Sequence, residues 1–131
     1  METTRFYTLF LVLLLLSVSR TLFAQTAAKA DDIIGRFFDK ENGNTVEVYK
    51  LEQGYVGKVV AVGSGDAKVQ VGTVLLKNLV YHGGAWKGQV YAPSRDEDFS
   101  VTVTLPDSTT MRLKVSIPIG SRKIEWQRVR Q

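Results

Sequence analysis

Downstream of residue 33, apolar and polar residues alternate along most of the chain, the period-two signature of half-buried strands. Thr45 to Leu51, Phe99 to Leu105 and Met111 to Ile117 alternate most cleanly. They set Val46 and Val48, then Val101, Val103 and Leu105, then Met111, Leu113 and Val115 on one face, against Thr102, Thr104, Arg112, Lys114 and Ser116 on the other. Further strands are predicted over Ile34 to Asp39, Gly54 to Val62, Trp86 to Tyr91 and Lys123 to Val129, and Lys68 to Val71 also alternates as a strand. Thr73 to Tyr81 is mostly apolar and fits either a buried strand or a single helical turn. Turn residues punctuate these segments at Glu41-Asn42-Gly43-Asn44, Glu52-Gln53-Gly54, Gly63-Ser64-Gly65-Asp66, His82-Gly83-Gly84 and Pro106-Asp107-Ser108.

About eight short strands in roughly 100 residues, joined mostly by tight turns, predict an all-β antiparallel meander. It closes as a small up-and-down barrel or, alternatively, folds as a β-sandwich. The long helical crossover that a parallel sheet requires is missing from the pattern. Two features argue against an outer-membrane barrel: the strands are shorter than the about 9–11 residues such barrels use, and the outward sets, such as Arg112, Lys114 and Ser116, are polar where lipid would lie.

Two strands carry one repeated pattern, Tyr55-Val56-Gly57-Lys58-Val59 and Trp86-Lys87-Gly88-Gln89-Val90. The aromatic, the glycine and the valine share a face. A glycine inside a strand packs nothing, so Gly57 and Gly88 mark bends, bulges or reserved space beside Tyr55 and Trp86. In the last predicted strand Ile124, Trp126 and Arg128 share a face, so a buried Trp126 turns Arg128 inward or to the barrel rim. Packing across an aromatic at a closed end would accommodate that guanidinium.

The segment before residue 33 reads differently. Arg5 followed by the apolar run Leu9 to Leu16 has the form of a secretory signal peptide, and the run is shorter than the roughly 20 apolar residues a membrane helix needs. We read residues 1–24 as a cleaved leader, with Ala24 before Gln25 preferred over cuts after Ala28 or Ala30, residues 25–32 as a flexible or short helical lead-in, and 33–131 as a single barrel domain. The product is expected to be exported, periplasmic or secreted, with no membrane-spanning segment after cleavage. The absence of cysteine excludes disulfides, a thiol nucleophile and a lipid-bearing cysteine. The 107 residues after Ala24 suffice to bury about 65% of the unfolded surface. Removing Arg5, Arg20 and Glu2 leaves 15 basic and 12 acidic residues, a net charge of +3. Those charges are interspersed with apolar residues instead of gathered, which argues against nucleic-acid binding.

Candidate chemistry is sparse. His82, the one histidine, stands in a glycine turn without a nucleophile or orienting carboxylate in any recognisable pattern. Asp96-Glu97-Asp98 lacks the frame of a calcium loop and reads as a solvated loop. Gly63-x-Gly65 is followed by strand-like residues where a phosphate cradle needs a helix start. No catalytic residue, metal ligand or cofactor is assigned.

Gly35-Arg36-Phe37, the two pentads with Tyr91 and Pro93, and the closing Arg122 with Trp126-Gln127-Arg128-Val129 occur in an order and spacing that resembles the exported bacterial family called domain of unknown function 2147, over nearly the whole mature chain. The resemblance implies a lipocalin-like barrel in which an opening Gly-x-Trp and a late Arg plug one end. Here Phe37 occupies the Trp position, and Ala92 stands where the family has an acidic residue. No activity comes with the family.

The expected function is therefore binding, without catalysis, of a small, partly apolar ligand or an envelope component. The residues expected to line the barrel interior are Phe37, Tyr55, Gly57, Trp86, Gly88, Phe99, Trp126 and Arg128. The alternative is a structural or interaction module of the cell envelope, and an enzyme ranks third. For the five-strong aromatic set of Phe37, Tyr49, Tyr55, Trp86 and Phe99, plain core is favoured over a cavity lining, because an eight-stranded barrel has an interior just wide enough for its own side chains or one small ligand.

Overall fold

The computed structural model describes residues 28–63 and 68–130; the expected leader, residues 1–24, and Ser64 to Asp66 of the glycine turn lie outside them. A single 3-10 turn, Ala30–Ile33, precedes eight strands: β1 Gly35–Asp39, β2 Asn44–Leu51, β3 Gly54–Ala61, β4 Val74–His82, β5 Ala85–Ala92, β6 Glu97–Thr104, β7 Thr110–Ser116 and β8 Ser121–Arg128. Each pairs antiparallel with its sequence neighbours, and β1 meets β8 through Phe37 opposite Arg128 and Phe38 opposite Gln127, closing an up-and-down barrel. Closure removes the free edges a sandwich would leave. Among the described residues no helix is long and apolar enough to cross a membrane.

The alternating faces land as the pattern requires. Val46, Val48, Val59, Val103, Met111 and Leu113 are fully enclosed, while Arg112, Lys114 and Ser116 face out. Thr73 to Tyr81 resolves as strand β4. It resisted reading because the strand is bulged: the β3–β4 register shifts on both sides of Gly57, and Asn78 adopts φ +52° where β4 slips against β5 between Lys77 and Val80. A bulge breaks period two, so Leu75, Leu76 and Leu79 are all buried without alternating.

Lys68 to Val71 is a correction: it forms no strand. Thr73 closes a turn on Gln70, its amide donating to the Gln70 carbonyl at 3.0 Å and its Oγ1 accepting from the Gln70 amide at 3.1 Å. The turn folds Val69 onto the core and leaves Val71 exposed, which mimics strand alternation over so short a run.

The two pentad glycines differ in cause. Gly88 lies opposite the Lys77–Val80 bulge, and a Cβ there would stand 2.5 Å from the Lys77 carbonyl oxygen and 2.7 Å from that of Asn78. Neighbouring main chain occupies the space a side chain would need. At Gly57 a Cβ would meet only the side chains of Leu76 and Val46, at 3.1 Å. Gly88 is thus a close backbone crossing, and Gly57 a tight packing position.

Candidate ligand cavity at the open end of the barrel

The two ends of the barrel are built differently. At one end Ala28 to Ile34 lies across the opening, held by side chains from five strands. The Tyr81 hydroxyl donates to the Ala28 carbonyl, Trp86 Nε1 to the Ala30 carbonyl at 3.1 Å, and the Tyr55 hydroxyl to Asp31 Oδ1 at 2.5 Å, with Lys50 Nζ 3.8 Å from the same carboxylate. Arg128 completes the floor. Its guanidinium lies 4.6 Å from the Phe37 ring centroid and donates to the carbonyls of Asp32 (2.6 Å), Ile34 (3.0 Å) and Ser108 (2.9 Å). Gly35 is at φ +149°, and a Cβ there would fall 2.5 Å from Arg128 Nη1, so the glycine two residues before Phe37 makes room for the arginine.

Asp31 alters the chemistry of Tyr55. The hydrogen bond to the carboxylate, then burial, then the carboxylate's charge push the phenol up to about 12. A phenol that ionises later in the folded chain than in the unfolded one contributes stability that is whole below about pH 10 and fades as pH rises from 10 to 12. The melting-temperature gap between the natural chain and Tyr55→Phe should therefore be constant near neutral pH and shrink across that alkaline window. A gap independent of pH up to 12 would show that the floor does not hold the phenol protonated.

At the other end the turns surround a cavity of about 450 Å³. Leu75, Val90, Val115 and Ile124 with the rings of Phe99 and Trp126 make its wall, and Val69 reaches in from the β3–β4 loop. Two buried polar side chains share that wall, both engaged: Asp39 accepts from the amides of Glu41 (3.0 Å) and Asn42 (3.4 Å) and from Asn42 Nδ2 (2.8 Å), and Asn44 Oδ1 accepts from the Gly63 amide at 3.1 Å. They fix the turns that frame the opening. Trp126 is the exception, because its Nε1 is buried with no acceptor among the described residues. An unsatisfied buried donor of this kind is uncommon.

The rim has no single sign of charge. Arg122 Nη2 sits 3.1 Å from Glu41, Arg95 lies 6.0 Å over the Phe99 ring, and Lys77 bridges to Asp98 at 3.1 Å beneath Tyr91. The Tyr91 hydroxyl donates to Asp96 at 2.6 Å, which raises its pKa chiefly through that bond. The acidic loop is thus spent on a lysine and a tyrosine, and among the described residues no His, Asp and Glu gather as a metal site. His82 is exposed as the last residue of β4, at the floor end and away from the cavity. What remains is an apolar enclosure that can shelter a nonpolar group.

The interior residues expected from sequence are therefore divided between the ends. Phe99 and Trp126 line the cavity. Phe37, Tyr55, Trp86 and Arg128 belong to the floor, where Tyr55 reaches Asp31 and Trp86 the Ala30 carbonyl, and Gly57 and Gly88 lie against Leu76 and the β4 backbone. Leu75, Val90, Val115 and Ile124 were missed. Val90 and Ile124 carry a usable signal, because each shares a strand face with a tryptophan.

No curated protein matches the chain. Among solved structures it is similar to Protein HP1028 from the human pathogen Helicobacter pylori, described as belonging to the lipocalin family, with 15% identity over 76% of this chain and 84% of that one and a TM-score of 0.64. That likeness speaks to the fold alone, a lipocalin-like barrel. A family model described as an uncharacterized protein conserved in bacteria matches residues 35–128, from the glycine that admits Arg128 to Arg128 itself. The chain belongs to that family, domain of unknown function 2147.

Proposed function

We propose that the protein is an exported barrel that binds a small, partly apolar molecule in its open-end cavity, without changing it chemically. The observation that carries this reading is the cavity of about 450 Å³ bounded by aliphatic and aromatic side chains. Its volume falls in the range of about 300–1,000 Å³ that small-molecule sites occupy. Burying an apolar group against such walls is favourable at about 25 cal/mol per Å² removed from water.

The test uses N-phenyl-1-naphthylamine, a neutral apolar probe whose fluorescence rises out of water. The natural chain should bind it saturably with one site. Val90→Trp, which projects an indole into the cavity, should weaken binding at least about tenfold, or 1.4 kcal/mol, with the melting temperature little changed. Absence of saturable binding, or equal binding by the Val90→Trp protein, would count against the cavity as the site.

A further inference from the structure

We infer that the β7–β8 hairpin docks on a bilayer with anionic headgroups, beside the mouth of the cavity, so that an apolar ligand passes between hydrocarbon and barrel. This rests on the reading of that cavity as a ligand site and names the phase from which the ligand comes. Ile119, in the turn between the two strands, is 91% exposed, more than any other large hydrophobic side chain among the described residues. It is not a loose end. Pro118 fixes the backbone before it, and the Ile117 amide donates to the Gly120 carbonyl at 3.1 Å, so a closed turn presents the side chain. Ile117 is also exposed and lines the cavity with Val115 and Ile124, which carries the apolar surface from the turn into the wall.

The charges beneath this turn have one sign. From Met111 to Ile124 the chain holds Arg112, Lys114, Arg122 and Lys123 and no acid. Two carboxylates reach the hairpin, and each is taken by an arginine: Glu125 by Arg112 at 2.9 Å and Glu41 by Arg122 at 3.1 Å. Lys114 and Lys123 stand directly opposite each other, with Thr102 on the far side of Lys114, and neither has an ion pair among the described residues. Like charges so placed oppose strand pairing. Anionic headgroups would neutralise both lysines while the acyl boundary takes Ile119, the division of labour of a surface-bound membrane anchor. A protein partner fits less well, because the apolar part is one protruding turn and not a patch of the roughly 800 Å² that a stable interface covers on each side.

The test mixes the protein, recovered from its host in soluble form, with vesicles of phosphatidylcholine, with and without phosphatidylglycerol. The natural chain should partition onto the anionic vesicles, and Ile119→Ser should weaken that by at least about tenfold. Lys123→Glu should weaken it about 25-fold, two charge steps at roughly fivefold each. It should nevertheless melt no lower than the natural chain, because it gives Lys114 a partner across the strands. The chain has no cysteine, so Ser121→Cys, beside the turn, or His82→Cys, at the floor end, can carry a single polarity-sensitive dye. The dye should brighten on vesicles at position 121 and not at 82. No partitioning, equal partitioning onto both vesicles, equal partitioning by Ile119→Ser, or brightening at 82 to match that at 121 overturns the inference. Dimerisation abolished by Ile119→Ser, without vesicle binding, also overturns it and gives the turn to a second copy. The vesicles are offered with no cavity ligand and the N-phenyl-1-naphthylamine titration is run without vesicles, so docking and ligand binding can each fail alone.

Discussion

Trp86→Ala should lower stability by about 3–5 kcal/mol, the usual consequence of deleting a large enclosed aromatic. For a domain near 100 residues that corresponds to a fall in melting temperature of roughly 15–30 °C. Three losses coincide at this position. The indole is fully enclosed, it packs on Tyr81 with ring centroids 5.1 Å apart, and it is the donor that holds the Ala30 carbonyl. Trp86→Phe separates them, retaining most of the ring and giving up the hydrogen bond, for a cost of about 1–3 kcal/mol. Thermal and urea unfolding of both variants would measure the difference. If the alanine variant is no less stable than the phenylalanine one, the floor does not depend on the mass of the indole.

Gly88→Val should be comparably damaging for an unrelated reason. No cavity is created; a methyl-bearing carbon is forced to within 2.5 Å of one carbonyl oxygen and 2.7 Å of a second. Main chain cannot move aside as the tip of a side chain can, so β4 and β5 must separate at the bulge, at about 3 kcal/mol or more. Gly57→Ala provides the contrast, since the new carbon meets Leu76 and Val46 side chains at 3.1 Å, contacts that repacking by a few tenths of an ångström relieves. The expected order of melting temperatures is natural chain, then Gly57→Ala, then Gly88→Val well below. A reversed order would mean that the bulge, not the glycine, yields.

Much of this architecture was legible in the chain. Clean alternation at 45–51, 99–105 and 111–117 gave strands and interior faces, because burial alternates residue by residue through the body of those strands and the β2–β3 register shift falls at the end of β2, between Thr45 and Val46. β4 was opaque because bulges flank Gly57's partners and Asn78, and a bulge is a tertiary adjustment that single-sequence periodicity averages away. The division of residues between ends was also within reach. In an up-and-down barrel, odd-numbered strands all start at the same end, so Tyr55 and Trp86, which open β3 and β5, must meet each other, and Phe99, near the start of β6, must lie opposite. What no strand pattern reveals is that Ala28 to Ile34 turns back over the first of these ends. Apart from the Asp31 carboxylate that takes the Tyr55 hydroxyl, its bonds to the strands are carbonyls offered to Tyr81, Trp86 and Arg128, and a backbone acceptor has no signature in residue identity.

The same floor decides how the molecule can be handled. Ala28 enters beneath Tyr81, and the chain leaves after Arg128, whose successor Val129 still donates its amide to the Arg36 carbonyl at 2.8 Å. Both connections to whatever precedes and follows the barrel thus pass through its sealed base. A purification tag, a surface linker or a fluorescent fusion added on either side would stand behind the barrel, leaving the opening ringed by Arg95, Glu41 and Arg122 facing the sample.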